Sequence, residues 1–267
     1  MQPELIYFRW SHYNEKARWA LEYKGIPYTR RTLLPGKHMD VARRLTGKTT
    51  VPILILNGKA INDSTRIIAA LEETFPNRPL YPRDPALRRR ALELEDFFYE
   101  ELGPHVRRVG FSRLIRHPVY LAHLFDSDQP WLSRWAYRPL LLLARSKLAK
   151  AMRVDPETVA ESRRKIEQAS ARLEREIQPS GYLVGDAFSV ADLTAAAMFS
   201  VLVLPPEFPC LPRMRIPAEI EQAVRQFANH PVAQWVRTIY RRHRAASVPL
   251  PARAEPALEI RQKAAIQ

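Results

Sequence analysis

The chain has 267 residues, 46% hydrophobic and 26% charged, which suits one large or two smaller globular domains and excludes a fibrous repeat or a disordered chain. Its single cysteine, Cys210, excludes an internal disulfide framework and a multi-cysteine zinc site, so we expect a reducing, cytoplasmic setting and no metal. The net charge of +14 would attract polyanions, yet the basic residues are spread over many segments without a zinc-finger or RNA-binding motif, and specific nucleic-acid binding is not expected.

The first ten residues, MQPELIYFRW, lack the charged, apolar, small-residue order of a secretory signal. No apolar run approaches the ~20 residues that span a bilayer. LIYF (5–8) is a short strand candidate and NEKARWALEYKG (14–25) a helix ending on Gly25. Between them Ser11, His12, Tyr13 and Asn14 stand where a helix N-terminus collects anions. YTRRTLL (28–34) alternates like a strand between Pro27 and Pro35. In TTVPILILNGKAINDS (49–64) the Asn57-Gly58 pair between apolar runs signals a two-residue hairpin, because a type I′ turn needs positive φ at both central positions. Asp63 and Ser64 then precede TRIIAALEETF, a helix-period run stopped by Pro76. The order is β-α-β, a loop or helix, then β-β-α.

Prolines at 76, 79, 82 and 85 mark an extended linker. The expected domains are therefore 1–80, an α/β layer; 81–86, the proline-rich linker; 87–250, an all-helical domain; and 251–267, a loosely attached tail. Residues 105–152 are basic and rich in aromatics, and they read as helices broken at Pro118, Pro130 and Pro139. Trp131, Trp135 and Tyr137 among Arg and Lys resemble a membrane-surface helix, although helix-packing core is the favoured reading. Ser189 and Asp192 in GYLVGDAFSVADLTAAA have the spacing of a capping box, a structural cap and not a catalytic pair.

Pro52 sits at the first position of a strand, where proline interrupts no central ladder bond. A cis Val51-Pro52 bond would turn the Val51 backbone outward to a ligand. Taken alone, an edge-strand proline is sufficient explanation; the conjunction with the two helix starts is more specific. Together, SHYNEKARWAL, VPIL…NDSTRIIAALEETFP and the Ser189–Asp192 segment resemble the glutathione transferase family over about residues 5–245. That resemblance implies a thioredoxin-like N-terminal domain, a helical second domain, glutathione as co-substrate and a homodimer.

Carried over residue by residue, the resemblance implies that Ser11 faces the glutathione sulfur and that the Val51 backbone pairs with the cysteinyl portion beside cis Pro52. It implies that Asp63 and Ser64 bind the γ-glutamyl end. Lys37 is the best match for the cation near the glycine carboxylate, with Lys48 or His38 as alternatives. Tyr7 competes with Ser11, since tyrosine-type members keep their hydroxyl there, but the Ser-x-Tyr…Lys-Ala-Arg register favours the serine and cysteine type; Tyr13 is a third candidate. A free thiol has a pKa near 8.5, and a helix N-terminus with a hydroxyl donor stabilises the thiolate, so Ser11 is a hydrogen-bond donor and not the attacking atom. Serine cannot form the mixed disulfides of a cysteine type, so the expected reaction is conjugation of the glutathione thiolate to a small, hydrophobic electrophile, a detoxification chemistry. Its pocket is expected against Trp10, Tyr13, Tyr99 and Phe111. His12, where the family commonly has proline, is expected in solvent. Two other readings stay open: a non-catalytic protein of this fold that binds a partner, a hydrophobic ligand or a membrane surface, and a glutathione-dependent peroxidase, isomerase or dehalogenase.

Overall fold

The computed structural model describes residues 2–210 and 214–245; the tail expected at 251–267 lies outside the described residues. Four short strands, β1 (Glu4–Tyr7), β2 (Thr29–Thr32), β3 (Ile53–Leu56) and β4 (Lys59–Asn62), form one sheet in the order β2-β1-β3-β4. β1 pairs with β2 in parallel, and β3 runs antiparallel to both β1 and β4. Asn57 and Gly58 close the β3–β4 hairpin with φ of 50° and 77°, the two positive angles that a type I′ turn requires.

Because side chains alternate along a strand, the two faces of this sheet receive different partners. Leu5, Tyr7, Leu54 and Leu56 join the large core shared with the helical domain, while Ile6 and Ile53 pack with Ala42 on the other face. Helices α1 (His12–Tyr23) and α3 (Ser64–Thr74) contribute to the first face. Helix α2 (His38–Thr46) fills the segment left as loop or helix, and its Ala42 covers the second face. This is a thioredoxin-like layer followed by an all-helical unit, α4 (Pro85–Phe97), α5 (Gly103–Leu114), α6 (Pro118–Asp126), α7 (Trp131–Ala151), α8 (Pro156–Glu176), α9 (Val190–Val203), α10 (Ala218–Ala228) and α11 (Pro231–Ile239). Single π-turns at Phe98–Leu102 and Tyr240–Arg244 complete it.

The proline-rich connection is held rigidly. Glu72 of α3 accepts hydrogen bonds from the Leu80 and Tyr81 amides at 3.0 and 3.1 Å and pairs with Lys24 at 2.6 Å. The Leu80 carbonyl in turn accepts from the Val190 amide at 2.8 Å, tying the connection to the start of α9. That start is a capping box: Asp192 Oδ2 accepts from the Ser189 amide at 2.9 Å and from Ser189 Oγ at 2.8 Å. Helix α9 is buried along most of its length and forms the centre of the helical unit.

Pro139 does not break its segment as expected. Helix α7 runs through it, with the ring on the exposed side and Tyr137 and Leu141 buried on the other. An internal proline costs about 3 kcal/mol, and packing of that inner face against α6 offsets it. The core reading of Trp131 and Trp135 is also overturned, since both are 74% exposed.

Helix α1 carries an unusual number of buried charges for its length. Glu15, Lys16, Arg18 and Glu22 are each at most 3% exposed. Glu15 receives Arg18 Nε at 2.9 Å and Arg244 Nε at 2.8 Å, and Glu22 is bonded by Arg244, by the Tyr28 hydroxyl at 2.6 Å and by Arg30 at 2.9 Å. The π-turn at Tyr240–Arg244 is thereby fastened to the N-terminal layer. Removing one partner from such a cluster leaves a buried charge uncompensated. Arg244→Met is therefore expected to lower unfolding free energy by about 3 kcal/mol, read from urea denaturation, whereas Arg225→Met, which removes an exposed pair with Glu221, leaves the midpoint unchanged.

Candidate active site

A cavity of about 630 Å³ opens between the two units. One wall comes from the N-terminal layer: Phe8, Trp10, Ser11, His12, Tyr13, Gly36, His38 and the Thr49–Val51 segment. The opposite wall comes from α5 and α7, including Arg107, Phe111, Tyr137, Leu141, Lys147 and Leu148. Arg107 and Lys147 bring positive charge, and among the described residues no aspartate or glutamate lines the space.

Ser11 is the N-cap of α1, where its backbone is extended (φ −169°, ψ 131°) and its carbonyl accepts the first helical bond from Glu15 at 2.8 Å. Its Oγ accepts from the Asn14 amide at 3.5 Å, a contact that does not use the hydroxyl hydrogen and leaves it to be donated. The helix N-terminus behind it favours negative charge in the cavity. On the loop before β3 the Val51–Pro52 bond is cis, and Val51 lines the same cavity wall. Asn62 braces this loop: its amide donates to the Thr50 carbonyl at 2.7 Å and the Pro52 carbonyl at 3.3 Å, and its Oδ1 accepts from Thr50 Oγ1 at 3.2 Å.

Asp63 caps α3, accepting from the Thr65 amide at 2.9 Å and the Arg66 amide at 3.4 Å. Its φ of 84° is a strained conformation for a residue with a Cβ, and such residues cluster at ligand clamps. The Tyr99 hydroxyl donates to the other carboxylate oxygen of Asp63. Tyr99 also stacks edge-on with Tyr13, ring centroids 4.9 Å apart, and its carbonyl accepts from the Tyr13 hydroxyl at 3.4 Å. Burial, with the Asp63 carboxylate beside it, pushes the Tyr99 hydroxyl far above its ordinary value, so it stays a donor. Beneath this group Lys16 pairs with buried Glu95 of α4 at 2.6 Å and donates to Thr65 Oγ1 at 2.6 Å.

Ser11, Val51, Trp10, Tyr13 and Phe111 thus share the cavity wall. Asp63, Ser64 and Tyr99 do not line it; they form the second helix start and join the cavity through Tyr13. Tyr7 does not line the cavity either: it is 5% exposed within the core, with the Arg18 guanidinium 5.5 Å from its ring, and burial pushes its hydroxyl up. The alternation that sends Leu5 and Tyr7 into the shared core accounts for this. Lys37 and Lys48 are exposed and outside the wall, whereas His38 lies within it and its Nδ1 accepts from the Gly36 amide at 3.1 Å.

His12 is not in solvent. It is 4% exposed, and its Nε2 hydrogen is donated to the Gly103 carbonyl at 3.0 Å. Burial, with the charge of Arg107 nearby, holds its pKa down to about 3, so it is neutral throughout the working range. Gly103 admits this arrangement: a Cβ there would stand 2.4 Å from the Tyr13 hydroxyl and 3.1 Å from Met198 Sδ. The sequence marks this arrangement only by the Gly103-Pro104 pair that opens α5; Arg107, Lys147 and Asn62 carry no local signature. Among the described residues no group of three or more His, Cys, Asp or Glu side chains could hold a metal ion.

Two outcomes follow from these contacts. Between pH 6.5 and about 3 the unfolded chain binds a proton at His12 that the folded one does not, so stability falls as the pH drops through that window. In His12→Gln, whose amide still reaches the Gly103 carbonyl, urea midpoints compared at pH 7 and pH 5 should show a smaller acid loss. Gly103→Ala should displace the Tyr13 ring and cost about 1–3 kcal/mol, measured by denaturation, because neither the ring nor α5 can yield freely.

Residues 5–79 match the domain family described as "Glutathione S-transferase, N-terminal domain", and residues 156–223 match "Glutathione S-transferase, C-terminal domain". A "Probable maleylacetoacetate isomerase" of Caenorhabditis elegans is 33% identical over 93 residues, 34% of this chain and 44% of that protein. "Glutathione S-transferase U2" of Arabidopsis thaliana is 28% identical over 114 residues, 42% of this chain and 49% of that protein. The chain spans about half the length of these curated relatives. Among solved structures, a glutathione S-transferase from Methylobacillus flagellatus with glutathione bound superposes with a TM-score of 0.58 at 18% identity, over 93% of this chain and all of that one, which shows the shared fold. With both domain families matched in order over more than half its length, the chain belongs to the glutathione S-transferase family.

Proposed function

We propose that this protein is a glutathione transferase of the serine type, conjugating the glutathione thiolate to a small hydrophobic electrophile. The observation that carries the reading is Ser11: an N-cap hydroxyl at the start of α1, in the same wall of an apolar cavity as Val51 of a cis Val51–Pro52 bond. In this reading the Ser11 hydroxyl donates to the sulfur, and the helix N-terminus with Arg107 lowers the cost of its negative charge. The Val51 backbone pairs with the cysteinyl portion. Asp63 takes the ammonium of the γ-glutamyl end, sharing its carboxylate with Tyr99, and Ser64 with the α3 amides takes the carboxylate. His38, in the wall, replaces exposed Lys37 as the group nearest the glycine end.

The electrophile then lies against Trp10, Tyr13 and Phe111, under the inner face of α7. A second reading, isomerisation of an unsaturated acid, is favoured by the name of the Caenorhabditis elegans relative and by Arg107 and Lys147 in a wall without carboxylates. A homodimeric assembly and a cytoplasmic location belong to the same proposal, and a light-scattering mass tests the first.

Calorimetric titration with glutathione and a conjugation assay with a chloronitrobenzene electrophile test the proposal. Ser11→Ala should keep binding and lose about 10²-fold in turnover. Asp63→Ala should weaken binding about 10- to 100-fold, the worth of a charge-assisted hydrogen bond. No binding at millimolar glutathione sinks the proposal; unchanged turnover in Ser11→Ala with none in Tyr7→Phe moves the donor to Tyr7.

A further inference from the structure

Helix α7 has two faces of opposite fate. Its inner face, Tyr137, Leu141, Ala144 and Leu148, walls the cavity. Its outer face is apolar and, among the described residues, uncovered: Trp131 and Trp135 are each 74% exposed, Leu132 61%, Leu142 50% and Leu143 83%. At 3.6 residues per turn, Trp131, Leu142 and Trp135 fall within about 40° of one another, with Leu132 and Leu143 inside the next 80° or so. They form one continuous arc. Arg134, Arg138 and Arg145 follow along one edge, Lys147 lies beyond the other, and Lys150 stands on the arc itself in the last turn. No aspartate or glutamate occurs between Trp131 and Ala151.

We propose that this outer face docks on an anionic membrane surface, with α7 lying in the headgroup plane. A helix with aromatic and leucine side chains on one arc and cations at its borders matches the interfacial pattern: the arc enters the acyl boundary while the basic edges meet lipid phosphates and carboxylates. Charge decides between this occupant and a second copy of the chain. A two-fold contact through α7 would set Arg134, Arg145, Lys147 and Lys150 against the same four cations, with the acid of Asp126 already taken by Arg138, whereas an anionic surface supplies the missing counter-charge. Arg138 also pairs with buried Asp126 at 2.8 Å, which anchors one edge of the helix to α6.

Docking would also place the cavity at the lipid. Leu140, 60% exposed, and Lys147 belong both to the cavity wall and to the outer side of α7, so the rim continues into the docking face. Resting on the proposed transferase reading, this makes the second substrate an apolar electrophile partitioned into the bilayer.

The test is sedimentation of the full chain with phosphatidylcholine vesicles prepared with and without phosphatidylserine, alongside tryptophan emission. Binding to the phosphatidylserine vesicles with a blue shift is expected, weakened about tenfold in Trp131→Ser/Trp135→Ser. These exposed positions lie outside the cavity, so glutathione titration of the double variant should match the parent, which separates failure of docking from failure of the transferase reading. Equal vesicle binding by parent and double variant would overturn the proposal, since it would trace binding to net charge alone. So would a failure to sediment, a dimer mass that the double substitution halves, or Trp131-dependent binding of polyglutamate without vesicle binding; the last two assign the face to a second copy or to an acidic protein.

Discussion

The buried charges of α1 are the constraint on which the rest of the site depends. Ser11 has its position because α1 begins there, and α1 is fixed in direction by ions that belong to distant parts of the chain. Arg244 reaches Glu15 and Glu22 across more than two hundred residues of sequence, Glu95 reaches Lys16 from α4, and buried Cys210 accepts from Arg18 Nη1 at 2.8 Å. An apolar packing of the same helix could be as stable, but it would tolerate small rotations. Paired carboxylates and guanidiniums with two or more bonds each hold α1 to one orientation, and so hold the N-cap hydroxyl over the cavity.

A second chain of contacts runs from the α3 start to the cavity across the domain boundary. Asp63 holds the Tyr99 hydroxyl, Tyr99 packs on Tyr13, Tyr13 fills the space that Gly103 leaves, and the Gly103 carbonyl fixes the His12 tautomer. Two of these five residues come from the helical unit. The thioredoxin-like layer alone would leave Asp63 and Tyr13 without the partners that orient them, so the helical domain fixes residues of the N-terminal layer as well as walling the cavity.

What could be read in the sequence was local. Asn57-Gly58, the Ser11 and Asp63 helix starts, cis Val51–Pro52 and the Ser189–Asp192 capping box each depend on a few adjacent residues, whose backbone preferences act before any tertiary contact forms. The misreadings were long-range. His12 looked like a polar residue at a loop end, and only the approach of α5, with the Gly103 carbonyl aimed at it, makes burial tolerable. The register favoured Ser11 over Tyr7 as the donor, and the β1 alternation that buries Tyr7 in the shared core is a sheet-wide contact that register alone does not reveal. Pro139 carries a strong breaking signal, yet one proline on the outer side of a 21-residue helix with an anchored inner face does not break it.

The net charge of +14 has a definite location. Among the described residues the buried cations are Lys16, Arg18, Lys24 and Arg244, and each is paired with a glutamate. Buried Asp126 and Asp192 are satisfied in turn by Arg138 and by the amides of Leu183 and Ser189. The interior therefore contributes no surplus, and the excess positive charge stands on the surface. A surface so charged repels its own copies and draws in anions at long range, with a strength that salt screens. At α7 that field coincides with an uncovered apolar arc and with the rim of the cavity. Charge alone would favour loose contact with any polyanion; two tryptophans and three leucines on the same arc demand a partner that can also accept apolar side chains.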